Sequence, residues 1–468
     1  MRRRGRLLRS EAPRFMRSST NAAKTARDSR QRIWLWEGLR QHFRSRLLQN
    51  ATWKLSARGL QLAGRLGYFV IVAHALGPAG YGTYVACTAL IVAMSPFASL
   101  GTSNVMVKYV ARNHDVLPAY FGNALLVTAV SGSLLTLLAL LARGRALPAS
   151  ASAPMLTAVA VAELFGTQMT AICADAFMAL EQAPRYARML TWSTGLRLIA
   201  ALVLATSAHT PLQWAYLYAA AGVIATGSGV VAVSRSNGRP RFRLNLLVPS
   251  VREGFHFATS TASQSVYNDI DKTMLARLGT VESAAIYAVA YRFVDAAMVP
   301  IHSLAAATYP EFFRRGMQGV TSAFQFARRI LRRSVVYGAV VAGVLFLAAG
   351  SVPFIMGGAY AEGAVALRYL CLLPILKSVH AFLTDTLTGA DYQWQRSSAQ
   401  VMVAIFNVVA NLWLIRAFGW RGAAWSSLLA DSLLVVLLYM IIRWHLRRER
   451  AVFGAASPPQ AVLAGGEE

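Results

Sequence analysis

Along this chain, long apolar runs alternate with short polar and basic segments, with little of the two-residue alternation expected of a half-buried strand. Runs long enough to cross a hydrocarbon core lie near 51–76, 80–107, 120–142, 153–180, 184–206 and 211–233. After the basic, Pro- and Gly-containing segment SRSNGRPRFRLN, six more follow near 251–276, 283–308, 334–356, 363–388, 397–415 and 422–442. The pattern predicts an all-α, polytopic membrane protein of about twelve transmembrane helices in two six-helix bundles. The bundles span 51–234 and 251–446. They are joined by a basic linker at 235–250 and flanked by a basic tail at 1–50 and a second tail at 447–468.

Composition agrees. Hydrophobic residues make up 56% of the 468 positions and charged residues only 14%, more apolar than a soluble domain tolerates. Charge then orients the spans. The first fifty residues carry fourteen Arg and Lys, and the same side collects Lys108, Arg112, Arg185, Arg188, the linker arginines and Arg314 to Arg333, with Arg396 and Arg443 to Arg450 following. The opposite side has only Arg143, Arg145, Arg277, Arg416 and Arg421. By the positive-inside rule both termini and the linker are expected in the cytoplasm. Within the tail, Trp36, Leu39, Phe43 and Leu47 recur at helical spacing, which predicts an interfacial helix on anionic lipids. The cysteines Cys87, Cys173 and Cys371 sit in apolar runs with no CxxC or His cluster, so neither disulfides nor structural zinc are expected.

The halves echo each other. Leu76-Gly77 matches Leu278-Gly279, Tyr84 matches Tyr287, and Pro96 matches Pro300. A shift of six spans makes this a parallel repeat, an arrangement that places substrate between the halves.

Three stretches carry a family likeness: LGPAGYGTYVACTALIVAMSPFASLGTSNVMVKYVAR, YNDIDKTMLARLGTVESAAIYAVAYRFVDAAMVP and NVVANLWLIRAFGWRGAAWSSLLADSLL. In order and spacing the chain resembles the polysaccharide transporter, or oligosaccharide flippase, family of the multidrug/oligosaccharidyl-lipid/polysaccharide exporter superfamily. Arg416 stands where that family usually has Pro, and the long basic tail is not part of its pattern. The resemblance implies a flippase in a bacterial inner membrane that moves polyprenyl-diphosphate-linked oligosaccharide for surface or exopolysaccharide biosynthesis by alternating access.

Charges at membrane depth are costly, so each is a functional candidate. Arg58 and Arg65 are seven apart on the first span, and Thr261, Gln264, Asn268 and Asp271 form a stripe on the seventh. Arg58, Arg65, Gln264, Asn268, Lys272, Arg292 and Lys377 are the residues expected to line a diphosphate and glycan cavity, since guanidinium and ammonium groups suit phosphate. Glu163, Asp175, Asp271, Asp295 and Asp385 are the candidates for coupling to H+ or Na+, with no cofactor expected. Blander readings stand beside these. Arg292 and Asp295 are placed to form a structural pair, Arg58 to snorkel, and Trp214, Trp420 and Trp444 to anchor at the interface; Pro96, Pro300, Pro353 and Pro374 serve as hinges or as packing. A cation-coupled drug exporter of the same superfamily is the alternative function. A membrane glycosyltransferase or polymerase is disfavoured because the longest loop on the sparsely charged side, near 143–152, carries no carboxylate or base. No Walker A or HExxH motif is present.

Overall fold

The computed structural model describes residues 59–207 and 209–455. Arg58, the proposed interfacial helix of the basic tail and residues 456–468 lie outside the described residues. Every regular element among the described residues is helical. In chain order they are α1 (Gly59–Ser99), α2 (Thr102–Val110), α3 (Leu117–Ala146), α4 (Ala153–Ala179), α5 (Ala183–Ala205) and α6 (Pro211–Asn237). Then come α7 (Leu244–Leu278), α8 (Val281–Gly316), α9 (Val320–Met356), α10 (Gly358–Leu370), α11 (Leu373–Gly389), α12 (Gln393–Phe418) and α13 (Trp420–Ala455).

Three departures from the expected boundaries have local causes. The two spans expected at 51–76 and 80–107 fall in one helical run of 41 residues, interrupted only at Ser95, which if straight would measure about 60 Å, twice the hydrocarbon core. Gly77 resolves this. Its φ of +63° is left-handed and is followed by Pro78, so the run doubles back there. The Phe69 and Tyr81 rings, on opposite arms, consequently lie 5.8 Å apart.

The second departure is the expected single span at 363–388, which is broken: α10 and α11 meet at 46°, with Pro374 opening the second piece. The third concerns the paired prolines, whose settings differ. Pro96 follows a helical break and is succeeded by left-handed Leu100 and Gly101, whereas Pro300 sits inside the continuous α8.

Nine helices among the described residues are long and apolar enough to span a membrane, or ten with the bent α10–α11 pair. Resolving α1 into its two arms and adding the more polar α7 brings the crossings to twelve. The most apolar helices face outward: Leu134, Leu138 and Leu141 on α3 and Val336, Val340 and Val344 on α9 are all exposed at helical spacing, a surface suited to lipid.

The position of the cores defines the shape. On the sparsely charged side one hydrophobic core joins the halves, from Phe69, Tyr84 and Trp214 to Tyr287, Leu370 and Ala424. On the basic side there are separate cores: one in the first half around Phe121 and Phe177, and others in the second around Leu387, Leu438 and Phe312. The halves therefore share one core on the sparsely charged face and have separate cores on the basic face, where they meet through the start of α7: Tyr109 donates to Glu253 at 3.2 Å, and a Cβ on Gly101 would lie 2.1 Å from the Gly254 carbonyl oxygen.

Candidate functional site

Between the halves lies a cavity of about 800 Å³, lined from α1, α4, α5 and α6 on one side and from α7, α8, α11, α12 and α13 on the other. Its charged lining comprises six Arg and Lys against four Asp and Glu, with His302 and His380 in addition.

The polar face of α7 supplies the centre. Gln264, Asn268, Asp269 and Lys272 all line the cavity. Lys272 Nζ pairs with Asp269 Oδ1 at 2.7 Å and donates to the Asn268 carbonyl at 2.8 Å, one turn back. From α11, Lys377 Nζ donates to the Asn268 side-chain oxygen at 3.3 Å. Both ammonium groups also sit over the Tyr291 ring, 4.7 Å and 5.2 Å from its centroid. Two lysines from separate helices thus converge on one asparagine and one ring. Arg292 faces the same space from α8 beside Tyr81 of the first half, and Arg65 enters from the exposed part of α1.

The expected carboxylates divide. Glu163, Asp295 and Asp385 line the cavity. Glu163 lies in a π-helical turn, Val161–Thr167, and accepts a 2.6 Å hydrogen bond from Tyr218. Such bulges rotate a side chain out of the α-helical register. Arg197 packs over the Tyr218 ring at 5.0 Å and donates to Thr167 at 2.7 Å. Asp295 and Arg292 do not pair with each other, so the structural ion pair read from their spacing is absent at these two described residues. Asp175 lies away from the cavity and accepts a hydrogen bond from Ser103. Asp271 is 1% exposed and sits behind the cavity wall, bonded to Tyr287 and Ser427. Asp269 and Asp271, two residues apart on α7, therefore point into different surroundings.

Other lining residues escape sequence reasoning. Trp214, read as an interfacial anchor, is instead fully buried and stacks with Tyr68 and Tyr218, with Tyr84 edge-on, as an aromatic wall of the first half. Opposite, behind the lining residues Tyr267 and His380, Asp431 of α13 takes a hydrogen bond from Tyr267 and lies 3.2 Å from His380 Nε2. Asp431 stands out in the sequence as an intramembrane charge. Its partners, far away along the chain, do not. The paired asparagines of NVVAN, Asn407 and Asn411, bond each other at 2.9 Å and hold Ser426 within the second half.

The sequence pattern of the polysaccharide biosynthesis protein family matches residues 47–315, more than half of the chain. The chain belongs to that family. No curated protein matches it. Among solved structures it is similar in fold to a multidrug resistance MATE family transporter of the MOP superfamily. Against the inward-facing conformation the TM-score is 0.69 at 16% identity, covering 85% of this chain and 96% of that one. Against an outward-facing conformation the TM-score is 0.58 at 15% identity, covering 85% and 94%. The lipid II flippase MurJ in an inward closed conformation is also similar, with a TM-score of 0.63 at 11% identity, covering 85% of this chain and 87% of that one. This member of the polysaccharide biosynthesis family is thus a multi-pass membrane protein with the two-lobed fold of MOP-superfamily transporters.

Proposed function

We propose that this protein is a flippase that moves polyprenyl-diphosphate-linked oligosaccharide across the bacterial inner membrane by alternating access, in the service of surface or exopolysaccharide assembly. The convergence of Lys272 and Lys377 in a cavity between the halves carries the reading. A diphosphate cannot cross hydrocarbon bare, and two positioned ammonium groups with Arg292 and Arg65 nearby replace its hydration. Loading takes place from the basic side, which the positive-inside rule makes cytoplasmic along with both termini. The polyprenyl tail remains in lipid, the basic tail is attracted to anionic headgroups, and H+ or Na+ drives the cycle through carboxylates that line the cavity, from the set Glu163, Asp295 and Asp385. The reading contains no enzymatic step and no bound cofactor.

The aromatic wall beside Glu163 favours a second reading, cation-coupled export of amphipathic cations. Proteoliposomes separate the two. The flippase reading expects a polyprenyl-diphosphate-linked sugar to change leaflet, at a rate reduced at least tenfold by Lys377→Ala at equal protein abundance, with no transport of ethidium. Ethidium transport without lipid movement selects the exporter instead. In cells, deletion of the gene should trap lipid-linked units in the inner leaflet.

A further inference from the structure

Towards the basic end of the cavity, three side-chain oxygens of its wall have no hydrogen-bond partner among the described residues. They are Thr384 Oγ1 and Asp385 Oδ2 on α11 and Gln400 Oε1 on α12. Gln400 is only 9% exposed. Leaving one buried polar oxygen without a donor costs about 1–3 kcal/mol, so three together mark a surface that awaits donors from elsewhere. Their position relative to the lysines is fixed by helical geometry. Thr384 and Asp385 follow Lys377 by seven and eight residues, which keeps them on the same side of α11 and about 12 Å further along its axis.

The donors this surface takes are neutral ones. Arg396, which also lines the cavity and donates to Thr388 at 2.9 Å, already brings a cation to this end, so a second cation there would face repulsion. No group of three His, Cys, Asp or Glu among the described residues is placed to hold a metal ion. Sugar hydroxyls, by contrast, donate without adding charge, and a carboxylate can accept from two neighbouring hydroxyls at once. We infer that Thr384, Asp385 and Gln400 form a sugar subsite that holds the first ring of the glycan while Lys272 and Lys377 hold the diphosphate. This deepens the flippase reading and rests on it. It also reassigns Asp385 from ion coupling to substrate recognition.

Binding of three probes to the full-length protein in nanodiscs tests it: undecaprenyl diphosphate, and the same lipid carrying a single hexose or a single N-acetylhexosamine. At least one glycosylated lipid should bind the wild type ten or more times tighter than the bare diphosphate. Asp385→Asn and Gln400→Ala should each cut that preference to less than threefold with bare-lipid affinity unchanged, which also shows that the variants are folded. Lys377→Ala should weaken all three lipids alike. Equal wild-type affinity for bare and glycosylated lipids overturns the sugar subsite and leaves the flippase reading standing, as does a preference that survives both substitutions. The subsite falls in the same way if Asp385→Asn abolishes a sodium or pH dependence of bare-lipid binding and spares the sugar preference. If the wild type binds none of the three, both readings fall.

Discussion

Tyr287 on α8 donates a 2.5 Å hydrogen bond to Asp271 on α7, and its oxygen lies 2.8 Å from Ser427 on α13. The repeat-matched tyrosine of the second half thus ties three helices together at a carboxylate that is nearly inaccessible. Asp271 belongs to the fabric of the second half. Tyr287→Phe should lower the thermal midpoint of the detergent-solubilised protein, since a hydrogen bond to a buried carboxylate contributes about 1.5–3 kcal/mol. Transport per folded molecule should stay within twofold of wild type. A loss of transport at unchanged thermal stability would return Asp271 to the translocation machinery.

The sealed face depends on a glycine. A Cβ on Gly82 of α1 would lie 1.8 Å from the Val281 carbonyl oxygen at the start of α8, so the backbones of the two halves touch there. This is a physical role for the second glycine of the GYG sequence. Nearby, Tyr360 donates to the Ala73 carbonyl at 2.8 Å and Thr273 to that of Ala86 at 3.1 Å, both across the halves. Gly82→Ala should push the halves apart on this face and shift the population towards the conformation open there. Spin-label distances measured between the two halves on that side should lengthen relative to wild type. An unchanged distance distribution would show that the contact does not hold the seal.

The fold was legible because hydrocarbon length and arginine asymmetry act over whole segments, so local irregularities average out. The turn at Gly77 was readable too, since only a residue tolerant of positive φ fits between an apolar run and Pro78. The site was legible in part. Lys272, Arg292 and Lys377 stood out because charges inside spans are rare, and the structure places all three on one cavity. Asp271 sits behind the cavity wall; spacing tells which face of α7 a residue occupies, but not that α8 and α13 cover the edge of that face. Trp214 was misread for a related reason. A tryptophan near the end of an apolar run looks the same whether lipid headgroups or Tyr68 and Tyr218 surround it. The Asp385, Gln400 and Thr384 surface could not be found from sequence, because it depends on which polar atoms lack partners after folding.

Glu449 near the end of α13 closes the start of α9. Its carboxylate accepts from the Val320 and Thr321 amides at 2.6 and 2.9 Å and from the Thr321 hydroxyl at 2.6 Å. These amides are the orphan donors of a helix N-terminus, satisfied here from a distant helix. Glu449→Ala should destabilise the protein by about 0.5–2 kcal/mol, read as a lower thermal midpoint, and should increase proteolysis at the α8–α9 connection. Glu449→Gln should recover part of the loss, because its amide oxygen still accepts. If Ala and Gln behave identically, the carboxylate is not acting as the cap.

Were Trp214 an interfacial anchor, replacement by alanine would remove a lipid contact and cost little. It is instead fully buried, with ring centroids of Tyr218 at 5.5 Å, Tyr84 at 5.9 Å and Tyr68 at 6.4 Å. Removing so large a buried ring typically costs about 3–5 kcal/mol, through lost burial and the void left behind. The void would open beside Tyr218, which carries the hydrogen bond to Glu163 and the stacking of Arg197. Trp214→Ala should therefore reduce folded protein in the membrane several-fold, and Trp214→Phe, which keeps most of the ring, should restore much of it. Fluorescence size-exclusion profiles of tagged variants read both outcomes directly. A Trp214→Ala protein as abundant and monodisperse as wild type would mean the wall is dispensable for the first half, and the anchoring role would regain its place.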